Sequence, residues 1–278
     1  MAGLRYVVVD VFTERPLEGN QLAVFTDARG IDDATMQALT LEIGFSETTF
    51  VLPAEAGGHA RIRIFNPRHE MPFAGHPVLG TAFVLAAPLQ LGLITLETGM
   101  GPVDIALERD DSGRISFGRM EQPLPEVRPV EDESALFAAL GITGSELPVL
   151  LYDNGATHIF VTLDSEAALA ILAPEASAIA EFGVTGVNCI AGSGTRWTTR
   201  MFWPGGEDAA TGSAAGPLAV HACRHGRAEW GEWLEISQGG AIGRPSVLHA
   251  VAEAAAGEVT RVAVGGSAVV VARGEFRL

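Results

Sequence analysis

An α+β chain built as two similar halves is the fold class the sequence predicts, and three observations predict it. A segment of the first half recurs 137 residues later. In each copy a strand-like stretch passes through a Gly-containing turn into an apolar, Ala-rich run with helical character. The remainder of each half consists of short apolar segments separated by turn signals. Many strands wrapped around one apolar helix per half is the economical arrangement of such elements.

The elements follow in order. Tyr6–Val9, ahead of Asp10, reads as a short strand and not as a signal peptide. Asp33–Ile43 reads as a helix and Thr48–Leu52 as a strand. Arg61–Phe65 alternates as a half-buried strand does, and Pro67 and Pro72 end it. A helix begins near His76. Pro77 suits its first position because proline has no N–H to leave unpaired there. Val78, Leu79, Ala82, Phe83 and Leu85 form its apolar face, and Pro88 stops it. Leu93–Thr98, Val103–Glu108 and Arg114–Arg119, separated by Gly99–Pro102 and Asp110–Gly113, form a meander. Gln122–Val130, with three prolines, reads as the linker between halves, which places the boundary at 1–122 and 123–278, with the last strand free to cross back. Glu133–Leu140 is a further helix. Another starts near Ser213, a good N-cap residue, with Pro217 in its first turn and Gly226 as its stop. Leu234–Ser237, Val247–Glu253, Val259–Val264 and Ala268–Arg273 complete a second strand-rich region.

The repeat is specific. Arg63, Phe65, Pro67 and Glu70 coincide with Arg200, Phe202, Pro204 and Glu207, and Gly75 and His76 then fall over Gly212 and Ser213 without a gap. Composition bounds the function. With 18 Lys+Arg against 34 Asp+Glu the formal charge is −16, and no basic run is present. That balance argues against a nucleic-acid partner, which needs clustered cations. The longest apolar stretch, Ala82–Thr95, is too short and too broken by Pro88, Gln90 and Gly92 for a membrane span. Two cysteines, Cys189 and Cys223, supply no disulfide framework, and no Cys/His set has zinc spacing. A cytoplasmic, metal-free protein is expected.

A duplicated pair of halves is expected to carry its site in the cleft between them. Ala74-Gly75-His76 and Thr211-Gly212-Ser213 head the two repeated helices. Unpaired N–H groups and the positive end of the helix dipole make such starts suited to an anion. Glu47, His76 and Asp208 are the acid–base candidates, although spacing alone does not select them over Asp10, Glu70 or Glu207. Gly192-Ser193-Gly194 lacks the rest of a dinucleotide loop, His69-Glu70 lacks the second histidine of a zinc helix, and Gly212-Ser213 is not a nucleophile elbow. Cys189 and Cys223 read as buried and inert. His158, His221 and His225 read as structural or exposed.

Several blocks together resemble the phenazine-biosynthesis isomerases of the PhzF type. They are Tyr6–Phe12 with Gly19-Asn20, Ser46-Glu47-Thr48, Pro72–Pro77 with Leu79–Ala82, Val187-Asn188-Cys189, Glu207–Gly216, and Gln238-Gly239 with Gly243–Ser246. The resemblance spans essentially the whole chain. It implies a diaminopimelate epimerase-like fold, two pseudo-symmetric halves, each a rolled mixed β-sheet around a central helix. Epimerases of that fold carry a thiol beside each helix start; here those places hold Ala74 and Thr211, so a two-cysteine racemase is not expected. The resemblance implies an isomerase acting on trans-2,3-dihydro-3-hydroxyanthranilate, with Glu47 as acid/base, His76 and Asp208 supporting it, and Ser46, Gly75, Thr211, Gly212 and Ser213 binding the substrate. It implies no metal and no redox cofactor, a small anionic cyclic amino or hydroxy acid as ligand, and a homodimer. The one departure is a short loop, Gly205-Gly206, between Pro204 and Glu207. Other readings are a relative acting on a different amino or hydroxy acid, a non-catalytic binding protein, and a hydrolase using Ser213.

Overall fold

Residues 3–278 are described by a computed structural model. Their contacts divide them into two units, residues up to 121 together with 265–278, and residues 122–264. In chain order the elements of the first stretch are β1 (Leu4–Val11), β2 (Asn20–Phe25), α1 (Asp33–Ile43), β3 (Glu47–Leu52), β4 (Ala60–Phe65), β5 (Glu70–Met71), α2 (Gly75–Leu89), β6 (Leu93–Thr98), β7 (Gly101–Arg109) and β8 (Ile115–Glu121). Then follow β9 (Glu126–Pro129), α3 (Glu133–Leu140), β10 (Leu150–Asp153), β11 (Thr157–Thr162), α4 (Glu166–Ala170), α5 (Ala176–Ala180), β12 (Gly186–Ser193), β13 (Arg196–Trp203) and β14 (Gly206–Asp208). The chain ends with α6 (Gly212–Arg224), β15 (Leu234–Gln238), β16 (Ser246–Ala255), β17 (Glu258–Gly266) and β18 (Ala268–Phe276).

The two halves share one topology. In the first, β2 pairs parallel with β3, β3 antiparallel with β4, β4 antiparallel with β5, and β4 parallel with β6. In the second, β11, β12, β13, β14 and β15 repeat those pairings in the same order and sense. The repeated residues occupy matching places: Thr48 faces Phe65 in one ladder, and Val187 faces Phe202 in the other.

Each sheet encloses its apolar helix. In α2, ten residues from Gly75 to Ala86 are buried, which explains why the helix carries so little polar surface. Glycine makes the close approach possible. A Cβ at Gly80 would stand 2.7 Å from Val11 Cγ2, and one at Gly118 would stand 2.8 Å from Leu79 and Phe83. In α6 a Cβ at Gly216 would reach Gln122 Oε1 at 2.2 Å. The opposite sheet faces are covered separately. α1 packs Met36 and Leu39 on Phe25, Phe50 and Phe65, with Phe25 and Phe50 stacked at 4.8 Å. α3, α4 and α5 cover a cluster including Leu151, Ile159, Val187 and Phe202.

The duplicated Arg, Phe and Glu of the repeat are structural. Arg63 binds Glu70 through two parallel hydrogen bonds, and its guanidinium lies over Phe65. Arg200 binds Glu207 and lies over Phe202 in the same way. Each pair pins the β4–β5 or β13–β14 hairpin that leads into a central helix.

The structure corrects the expected end of α2 and adds elements that the sequence did not suggest. The proline-rich stretch 122–130 carries a strand: Glu126–Pro129 pairs antiparallel with Leu150–Asp153, and buried Gln122 donates from Nε2 to Gly212 O. Helix α2 continues through Pro88 to Leu89 and ends at Gln90 in the left-handed region. The Arg109 guanidinium then donates to the carbonyls of Ala86 and Leu91, meeting part of the demand left at that end. The five-residue helices α4 and α5 fall in a stretch without a clear periodic signal.

Candidate active site

In the first unit, Ser46 and Glu47 sit where α1 hands over to β3. Gly44 closes α1 in the left-handed conformation, and its N–H bonds to Thr40 O. Glu47 then opens β3 beside Leu22 of β2. Its side chain is 18% exposed, and Oε2 is buried without a hydrogen-bond partner among the described residues. That oxygen stands 3.4 Å from Nε2 of His76, the second residue of α2. Burial raises the Glu47 carboxyl from its ordinary 4.5 to about 7, against a smaller lowering by the Ser46 hydroxyl. A carboxyl held near neutrality both accepts and returns a proton at physiological pH.

His76 is oriented from behind. Ser46 Oγ donates to Asn20 Oδ1 at 3.4 Å, which leaves Asn20 Nδ2 facing His76 Nδ1 at 3.4 Å. Asn20 thus contacts one imidazole nitrogen and Glu47 the other, which fixes the plane of the ring. Ala74, the N-cap of α2, has no side chain that could cap the helix start at Gly75 and His76.

In the second unit the corresponding helix start carries a different polar set. Thr211 precedes α6, but its hydroxyl does not cap the helix; it donates to Asp208 Oδ2 at 2.7 Å. Gln238 clamps this turn. Its Oε1 accepts from Thr211 N, and its Nε2 donates to Thr211 Oγ1 and Asp208 O. Gly239 has φ +76°, and a Cβ there would meet Arg244 O and Ala209 O within 2.5 Å. Only glycine fits that close approach at low cost. Ser213 is the second residue of α6 and not its N-cap, a correction to the expectation. Its hydroxyl lies 3.0 Å from His158 Nε2. Its carbonyl would ordinarily accept from residue 217; Pro217 has no N–H, and Asn154 Nδ2 donates at 3.0 Å instead.

The structure thus groups Ser46, Glu47, Gly75 and His76 in one unit and Asp208, Thr211, Gly212 and Ser213 in the other. It also separates them from the acids that spacing did not exclude. Glu70 and Glu207 are held by arginines, and Asp10 accepts from Leu17 N at 2.7 Å. Asn20, Gln238 and His158 were not singled out as site residues from sequence. The first two lay inside the blocks that carried the resemblance, whereas His158 gave no local signal because its partner is 55 residues away. The two cysteines are free and buried, as expected. Among the described residues, no His, Cys, Asp and Glu cluster could hold a metal ion, and no helix is long and apolar enough to cross a membrane.

Comparison with known proteins places this geometry. Residues 9–274 match the model of the PhzC-PhzF family, phenazine biosynthesis-like proteins. The chain is 48% identical to the trans-2,3-dihydro-3-hydroxyanthranilate isomerase of Pseudomonas aeruginosa, covering 99% of each. The Pseudomonas fluorescens enzyme of the same name is also 48% identical, over 98% of this chain and 99% of that protein. Among solved structures, a PhzF-family phenazine biosynthesis protein of Bacillus anthracis shares the fold with a TM-score of 0.88 over both whole chains at 23% identity. A hydroxyproline epimerase of Agrobacterium vitis shares it more distantly, with a TM-score of 0.69 at 12% identity over 99% of this chain and 92% of that one. Two halves of one topology, each rolled on a buried helix, are the diaminopimelate epimerase-like fold, and the chain belongs to the PhzC-PhzF phenazine biosynthesis-like family.

Proposed function

We propose that this isomerase converts trans-2,3-dihydro-3-hydroxyanthranilate to the ketone precursor of phenazines, with Glu47 as the acid/base. The near full-length identity to enzymes of that name supports the substrate. One structural observation supports the mechanism: a buried carboxyl, raised to about 7, faces Nε2 of an oriented histidine at 3.4 Å. Glu47 takes the proton from C3. The electron pair spreads through the diene toward the carboxylate-bearing carbon, and Glu47 returns the proton to the ring near that carbon. The resulting enol becomes the ketone, so no atom is gained or lost. His76 and Asp208 hold the hydroxyl and amine. Ser46, Gly75, Thr211, Gly212 and Ser213 bind the substrate, the helix-start amides favouring its developing negative charge.

The test is Glu47→Gln, nearly isosteric but without a usable base. Turnover is expected to fall at least ~100-fold, with deuterium uptake from heavy water falling in parallel; activity within a few-fold of the parent would remove Glu47 from this role. The proposal includes a homodimer, which sedimentation equilibrium would show as twice 29.1 kDa. It includes a reducing, cytoplasmic setting, in line with two free buried cysteines.

A further inference from the structure

We infer that His158 is a positioning residue, which with Asn188 holds the Ser213 hydroxyl as a hydrogen-bond donor toward the substrate. This inference rests on the reading of Ser213 as a substrate-binding residue. The polarity follows from a chain of hydrogen bonds within the second unit. Asn188 Nδ2 lies 3.4 Å from Ile159 O, a group that can only accept. The amide orientation is thereby fixed. The same Nδ2 faces His158 Nδ1 at 3.3 Å, so Nδ1 accepts. A neutral imidazole then carries its proton on Nε2, which is 3.0 Å from Ser213 Oγ. Ser213 Oγ receives that proton and keeps its own O–H to give away.

His158 is fully buried, and burial holds its pKa down at about 3, so it remains neutral. The arrangement mirrors that of the first unit, where Asn20 contacts His76 Nδ1 at 3.4 Å. There Nε2 faces Glu47; here it faces a serine. The same polarity sets aside the hydrolase reading of Ser213. A histidine whose Nε2 already bears the proton, with an amide and not a carboxylate behind it, does not deprotonate the serine.

Two measurements on the full-length enzyme test the inference. The first is the ¹⁵N spectrum of the histidine-labelled protein at neutral pH. A bare Nδ1 and a protonated Nε2 are expected for His158, and a protonated Nδ1 would overturn the inference without any variant. The second is a double-mutant cycle read as KM and kcat. Ser213→Ala is expected to raise KM about tenfold, the size of one lost hydrogen bond. His158→Met, similar in volume but no donor, is expected to raise KM by a similar factor. Adding it to Ser213→Ala is expected to change KM less than ~2-fold further, because the histidine acts through the serine. His158→Gln, which retains an N–H donor, is expected to restore KM to within about threefold of the parent. If Ser213→Ala leaves KM unchanged, the substrate-binding reading of Ser213 fails and the inference fails with it. If Ser213→Ala raises KM but the two changes multiply, only the role of His158 is wrong.

Discussion

Glu47→Gln has a consequence for stability that is opposite in sign to its effect on activity. The parent carboxyl titrates near 7 in the fold and at its ordinary 4.5 when exposed. Between those values the folded chain binds more protons than the unfolded one, so stability falls as pH rises. The loss is absent below about pH 4.5 and complete above about pH 7, where it reaches about 3 kcal/mol at the ~1.4 kcal/mol of each tenfold change in proton affinity. Glutamine carries no charge to bury. The variant should therefore match the parent near pH 4.5 and exceed it by up to about 3 kcal/mol near pH 8.5. Urea unfolding of both proteins at the two pH values reads this directly, provided that the slopes stay equal. Activity should follow the same titration: kcat/KM of the parent should climb about tenfold per pH unit and level off above about pH 7. A stability offset that is the same at both pH values, or a rate that is flat across the window, would show that the carboxyl is not buried as described.

Two further outcomes follow from the scaffold. Arg200→Met should cost about 3 kcal/mol because it strands Glu207, whose side chain is 8% exposed, whereas Arg63→Met should cost under ~1 kcal/mol because Glu70 and Asp33 are 42% and 81% exposed. Equal unfolding midpoints for the two variants would contradict that difference in burial. Gly239→Ala should lower stability by at least ~2 kcal/mol, since it adds a Cβ against two backbone carbonyls at positive φ. It should also loosen the Gln238 clamp on Asp208 and reduce turnover; an unchanged midpoint with full activity would refute the clamp.

Helix starts, meander strands and the duplication were legible because they rest on local chemistry. Pro77, the alternation of Arg61–Phe65 and the Gly–Asp turns each act within a few residues. The repeat was visible because Arg63–Glu70 and Arg200–Glu207 need the same spacing to span the same hairpin. What local reading could not give was partnership. Glu47, a surface-looking residue at a strand start, becomes a buried acid because β3 lies beside β2 and α2 passes above it. His158 and Ser213 meet only because β11 runs under the start of α6. The strand within the proline-rich stretch was not foreseen for a related reason. Prolines 123, 125 and 129 disfavour an interior strand, but Glu126–Pro129 pairs with β10, and Pro129 lies at its end, a position where a missing donor is tolerated.

The duplication also bears on the proposed chemistry, because the two copies differ at the position of Glu47. Glu47 and Gly186 occupy matching ladder positions, each one residue before the pair to Phe65 or Phe202. Gly186 has no side chain, so the second copy carries no acid at the matching position; the flexible end of Met201 fills the space, 2.4 Å from where a Cβ would stand. Nor do the N-cap positions of the two helices provide bases: Ala74 has no acid–base group, and the Thr211 hydroxyl is engaged by Asp208 and Gln238. The two thiols lie elsewhere and are inert, burial pushing Cys189 up to about 12 and Cys223 up to about 11. Inversion at a saturated amino-acid Cα needs one group to take the proton and a second, on the other face, to return it. Among the described residues the two copies supply no such symmetrical pair, and the proposed route along one face of a diene calls for only one carboxyl. Incubation with L-proline or trans-4-hydroxy-L-proline in heavy water should therefore leave the α-hydrogen in place by proton NMR. Deuterium uptake at Cα with inverted configuration would mean that a second base operates, and that the asymmetry between Glu47 and Gly186 does not set the reaction.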